Sequence, residues 1–235
     1  MMAEALDDDA IFVYMGGDQE VPDGVRRARI HKSVKIVRRR AFQWRRNLIS
    51  VKFHDGVEII EQSAFAGCVL LKSIKLLGVK IIKGWAFLGC ESMTAVEFGD
   101  RLETIEQCTF QRCRSLKTIR MPTVMTIGRV AFADCTKLSD AEFGDALRKL
   151  QDGAFHSCRN LKRIALPLKG DMIGSHVFNH CTKLSKVDLV GGIHLTAASL
   201  HMESRGSEMI NEINRINQLF PLLAKEKRLQ QYSSG

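Results

Sequence analysis

The chain has 235 residues, 45% of them hydrophobic and 26% charged, which is globular composition and excludes a disordered or fibrous protein. No stretch approaches the ~20 apolar residues of a membrane-spanning helix. The formal net charge is +9, and the excess is local: from Val25 to His54 there are eleven Lys or Arg and no Asp or Glu.

The first nine residues, Met1 to Asp9, have no basic region and no long apolar core, so they do not read as a secretory signal. With Met1 as the true start, the chain is expected inside the cell, in cytoplasm or nucleus; as a fragment of a longer protein it is expected at the surface. Ile11-Phe12-Val13-Tyr14, followed by Gly16-Gly17, reads as a strand and turn. Residues 1–29 are therefore expected to form a tail and a cap strand.

A repeat begins at Ile30. Phe42, Phe65, Phe87, Phe110, Phe132, Phe155 and Phe178 stand 23, 22, 23, 22, 23 and 23 residues apart. Three residues after each Phe comes Cys68, Cys90, Cys113, Cys135, Cys158 or Cys181; only the first repeat departs, with Arg45. Six after comes Leu48, Leu71, Met93, Leu116, Leu138, Leu161 or Leu184. Nine after, and five before, stand further apolar columns, headed by Val51 and Val37. Such periodicity marks stacked coils, each burying an apolar edge against the next.

Local spacing shapes one coil. Ala64, Cys68 and Leu71 lie at i, i+4 and i+7, which predicts a short helical turn. Ile74 and Leu76 alternate with Lys75, which predicts a strand. A Gly/Asp/Pro corner and a second short strand close the coil, and the odd residue of the 23-residue coils falls in that corner. Ten residues after each Phe an outward column reads Lys52, Lys75, Glu97, Arg120, Glu142, Ala165, Asp188. Its signs mostly alternate, as expected of a device that stacks strands in register.

The run Ala64-Phe65-Ala66-Gly67-Cys68-Val69-Leu70-Leu71-Lys72-Ser73-Ile74-Lys75-Leu76 resembles the BspA-type leucine-rich repeat, as does Ile127 to Leu138. The resemblance covers about two thirds of the chain. It implies a curved solenoid used in protein recognition, similar to repeats of bacterial and protist surface proteins and of expanded algal and diatom families. It carries no catalytic residues.

The expected fold is thus an α/β repeat: a single leucine-rich-repeat solenoid of about seven coils over residues 30–190, with parallel β-ladders and short helical turns. A C-terminal helical cap and tail is expected over 191–235, where Met209, Ile213, Ile216 and Phe220 recur at helical spacing before Pro221.

Six cysteines are repeat positions and so are expected in the core. Cys108 stands outside the column and is the thiol expected to react with an alkylating reagent. His156, His176 and His180 lie near Cys158 and Cys181, but both thiols are repeat positions, so no metal is expected. No phosphate loop, nucleophile elbow, HExxH or paired-carboxylate pattern occurs. Neither an enzyme nor a cofactor is expected.

The basic first coil remains. Arg26, Arg27, Arg29, Lys32, Arg38, Arg39, Arg40, Trp44, Arg45 and Arg46 are expected to form a compact cationic end, either for an anionic partner or as a charged end-cap. Trp44 would stack there on a base or a guanidinium. The expected function is a non-catalytic protein–protein interaction module. Nucleic-acid or phosphate binding through the first coil, and cell-surface recognition or adhesion, are the alternatives.

Overall fold

The structure, a computed structural model, describes residues 10–167, 172–190 and 193–196. Two ladders run along the stack, parallel except at the last strand of the first. One is built from β1 (Ile11–Tyr14), β2 (Arg27–Ile30), β4 (Ser50–Lys52), β6 (Ser73–Leu76), β8 (Ala95–Phe98), β10 (Thr118–Met121), β12 (Asp140–Phe143), β14 (Arg163–Pro167), β15 (Lys186–Val190) and β16 (Ile193–Thr196). These main strands hydrogen-bond as two five-stranded sheets, β1-β2-β4-β6-β8 and β10-β12-β14-β15-β16. The second ladder is a six-stranded sheet of two-residue strands: β3 (Ile36–Val37), β5 (Ile59–Ile60), β7 (Ile81–Ile82), β9 (Thr104–Ile105), β11 (Thr126–Ile127) and β13 (Lys149–Leu150). It crosses the β8/β10 junction without a break.

The Phe column is the spine of the core. Rings of consecutive coils stack at 4.8 to 5.3 Å from Phe42 to Phe155, and the last step, to Phe178, widens to 6.1 Å. Phe53, Phe98 and Phe143 tilt against the spine in every second coil. Tyr14 of β1 sits on the first ring, 5.2 Å from Phe42 and fully buried, so the N-terminal strand caps the spine with an aromatic ring of its own. β2 pairs with β4 in register, Ala28 opposite Val51, and so continues the main ladder one coil before Phe42.

Among the described residues the short helical turns are not present. The segment around each Phe is an arc of tandem β-turns. The coil of Phe132 shows why. The amides of Val130, Phe132 and Asp134 donate to the carbonyls of Asp152, Ala154 and His156 in the next coil, at 3.0, 2.8 and 2.9 Å. Those between them, Ala131, Ala133 and Cys135, donate three residues back. A helix spends every amide within its own segment; this arc spends alternate amides between coils. The geometry needs a left-handed residue two before and two after each Phe, and φ is positive at both in the first six coils and in the last, from Arg40 and Trp44 to His176 and His180. Such residues interrupt an α-helix. The i, i+4, i+7 spacing therefore marked an inward-facing arc, not a helix.

The corner glycines have a steric cause. A Cβ on Gly99 would fall 1.9 Å from the Leu77 carbonyl oxygen, and one on Gly144 2.2 Å from that of Pro122. Coils touch there backbone to backbone. The helical cap expected over 191–235 lies outside the described residues except at β16, which is a strand antiparallel to β15.

Candidate functional site

The outward face of the main sheet is set by strand alternation. On β2, Ala28 and Ile30 point into the core and Arg27 and Arg29 point out. Register then builds columns across the coils. Arg29 lies opposite Lys52, Ser50 opposite Ser73, and Lys75 opposite Glu97. One outward column thus begins Arg29, Lys52, Lys75, and changes sign only at Glu97, which pairs with Lys75 at 2.7 Å. Arg29 and Lys52 make no ion pair among the described residues. The alternation of sign holds from Lys75 to Glu142 but not at this end, where Lys52 and Lys75 share a sign and β2 adds Arg29 beside them. Like charges on adjacent strands oppose pairing.

The C-terminal half of the same face is neutralised internally. Arg120 pairs with Glu142 at 3.2 Å. Arg163 reaches Asp188 at 2.5 Å, Asp140 at 3.1 Å and Glu142 at 3.9 Å, and Lys186 reaches Asp188 at 3.4 Å. The hydrogen bond to Asp188, and then Asp140, hold the Arg163 guanidinium above its ordinary pKa against its burial.

The cationic residues expected to form one compact end fall on three parts of the coil. Arg26 precedes β2, and Arg27 and Arg29 lie on it. Lys32 is exposed on the turn between the ladders. Arg38, Arg39 and Arg40 follow β3 and open the arc of turns; Arg39 donates its amide to Glu61 Oε2 at 2.9 Å, and Arg40 holds φ +60°. Trp44 and Arg46 lie further along that arc. The Trp44 ring lies over Gly67 of the next coil, where a Cβ would fall 2.1 Å from Cε3, and Arg46 sits 5.9 Å from the ring centroid. Trp44 is therefore not on the main sheet face.

Arg45 has a structural task. Each column thiol donates to the carbonyl of the Phe one coil earlier, from Cys68 to Phe42 at 3.0 Å through to Cys181 to Phe155 at 3.1 Å. The first coil has no earlier Phe. Arg45 takes the position and reaches further, donating Nε to the Val21 carbonyl and Nη1 to Asp23 at 3.0 Å. It fastens the N-terminal segment to the stack.

The six column cysteines are all buried, in line with a core role. Cys108 is half-buried, and burial pushes its thiol up against the opposing effects of Arg129 and Trp85. It is thus less reactive than a free thiol would be. The His156 and His180 rings meet edge to face at 5.1 Å, but no three His, Cys, Asp or Glu side chains converge on a metal-sized site among the described residues. No helix among those residues is long and apolar enough to cross a membrane.

A further column was missed in the sequence. Four residues before the Phe, Glu61, Glu106 and Gln151 accept backbone amides of the preceding coil, from Arg39, Gly84 and Arg129, at 2.9 to 3.1 Å. The signal was there, as an acid or amide at every second coil. It went unread because Lys83 and Gly128 interrupt it.

A family model for the BspA type leucine rich repeat region matches in six copies, over residues 25–135 and 80–204. Among solved structures, the chain is similar to the T. pallidum leucine-rich repeat protein TpLRR: 32% identity, TM-score 0.58, covering 64% of this chain and 72% of that one. It also resembles a leucine-rich repeat protein from Bacteroides ovatus (23% identity, TM-score 0.53) and the pneumococcal vaccine antigen PcpA (20%, 0.51) in fold. These cover 77% and 69% of this chain, which spans only 43% and 50% of their lengths. No curated protein matches the chain.

Proposed function

Since the chain belongs to the BspA-type leucine-rich repeat family, we propose that it is a non-catalytic protein-binding scaffold whose contact surface is the outward face of the main sheet. One observation carries this. Parallel strands hold that face's side chains in fixed columns, and in the column through β2 and β4 Arg29 and Lys52 are exposed and make no ion pair among the described residues. A rigid ladder presents such a surface with little ordering cost on binding. The arc of turns is less suited, because its Trp44 ring is already laid on Gly67.

Site-specific photo-crosslinking in cells that express the protein tests the reading. A photoreactive residue is placed at Ser73, exposed on β6, and in a second variant at Lys137, exposed on the arc. Protein adducts from Ser73 and none from Lys137 are expected. Adducts from Lys137 alone, or equally from both, refute the assignment of the face.

A further inference from the structure

We propose that strands β2, β4 and β6 hold an acidic, extended segment of a partner protein, with Arg29, Lys52 and Lys75 as the row that binds its carboxylates. This rests on the reading of the main sheet face as the contact surface, and it gives that surface a partner chemistry.

The row is costly to the fold. Three cations in one column of adjacent parallel strands repel one another, and the repulsion opposes sheet pairing. The chain removes such repulsion from Lys75 through Glu97, from Arg120 through Glu142, and from Arg163 through Asp140, Glu142 and Asp188, but Arg29 and Lys52 have no such partner among the described residues. Departures from a rule that the rest of the fold obeys concentrate at functional sites. A bound anion would remove the repulsion from outside.

The surroundings of the row suit a carboxylate. Beside it runs a second outward column, Arg27, Ser50, Ser73 and Ala95, whose two hydroxyls make no hydrogen bond among the described residues. Lysine ammoniums with free hydroxyls alongside suit a carboxylate, since both donate to its oxygens. Strands sit ~4.8 Å apart, so the row is roughly 10 Å long, and alternate side chains of an extended peptide repeat every ~6.8 Å. Two carboxylates of such a peptide match the row.

The row is bounded on one side. Glu97 ends the row at β8 and repels an anion that extends further. The row is therefore short for a nucleic-acid backbone. The exposed aromatic on which a base would stack, Trp44, lies on the arc and not on this face.

The test is fluorescence anisotropy of the full chain with fluorescein-labelled decaglutamate, at 50 and 300 mM NaCl. Saturable binding is expected at the lower salt, at least tenfold weaker at the higher. Arg29→Gln/Lys52→Gln should weaken it at least tenfold while the melting temperature holds or rises, because the substitutions end the repulsion in the row. Arg38→Glu/Arg39→Glu/Arg40→Glu removes more net charge, but from the arc, and should change affinity less than threefold. Three results overturn the proposal: no binding at 50 mM NaCl, an arc variant as damaging as the row variant, or tighter binding of a ten-residue oligothymidylate. If decaglutamate fails while crosslinks still arise from Ser73, the acidic partner is wrong and the scaffold reading stands. If crosslinks arise from Lys137 instead, the scaffold reading itself falls.

Discussion

The buried thiol column makes the fold sensitive to alkali, and the size of the effect follows from the structure. Burial pushes the thiols of Cys68, Cys90, Cys113, Cys135 and Cys158 up, that of Cys68 to about 12 from an ordinary 9.0. An ionised thiol would also lose its donated hydrogen bond and face the same Phe carbonyl oxygen as a like-charged neighbour. The folded chain therefore keeps these protons where the unfolded chain releases them. The stability they contribute is complete below about pH 9 and drains away as pH rises toward the folded-state values. At pH 10, one unit past the ordinary thiol value, each costs about 1.4 kcal/mol, and the five together about 7 kcal/mol. That is comparable with the ~5–15 kcal/mol that holds a typical domain folded. Urea denaturation at pH 8, 9 and 10 in the presence of a reductant, followed by circular dichroism, measures it. The comparison is a variant with all five cysteines changed to Ser, which keeps a donor to each carbonyl but does not titrate. A steep loss in the parent and a shallow one in the variant are expected. A loss below about 2 kcal/mol between pH 8 and 10, or an equal loss in both proteins, would refute the reasoning.

Phe110→Ala removes a ring stacked on both sides, at 5.1 and 5.2 Å, and should cost about 3–5 kcal/mol by denaturant titration. Phe178→Ala, with one stacked neighbour at 6.1 Å, should cost visibly less; equal costs would contradict the ladder account. Arg45→Met should cost about 1.5–3 kcal/mol through the lost charged hydrogen bonds, and hydrogen exchange should rise across residues 11–30, whereas Arg40→Met should leave that exchange unchanged. Val130→Gly should raise the melting temperature, because a β-branched residue held at φ +48° is relieved of about 1–2 kcal/mol of backbone strain. Gly153→Ala, at φ +63° with Val130 Cγ1 3.1 Å from the new Cβ, should lower it.

Much of this molecule was legible because a solenoid repeats its environment. The Phe, Cys and Leu columns recur wherever the same interior position recurs, so spacing alone disclosed the coil length, the spine and the inward face of each strand. The arc was misread because its left-handed positions have no common residue type. Arg40, Ser63, Trp85, Cys108, Val130, Gly153 and His176 share a backbone conformation and little else, while the inward side chains between them keep a helix-like spacing. The distribution of the cationic residues over the first coil was not legible for a related reason. Proximity in sequence placed Arg38 to Arg40 beside Arg27 and Arg29, but β2 and β3 belong to different sheets. Arg45 looked like one more surface charge until the thiol-to-carbonyl ladder showed what its position requires.

By itself, then, the sequence determined the repeat, its length and its buried columns, because each of these depends on residues of a single coil. Tertiary structure decided which charges face one another, which amides bridge coils, and where the stack begins, because each of these depends on the register between coils. The row Arg29, Lys52, Lys75 belongs to the second kind. Its members are 23 residues apart along the chain and become neighbours only when β2, β4 and β6 stack.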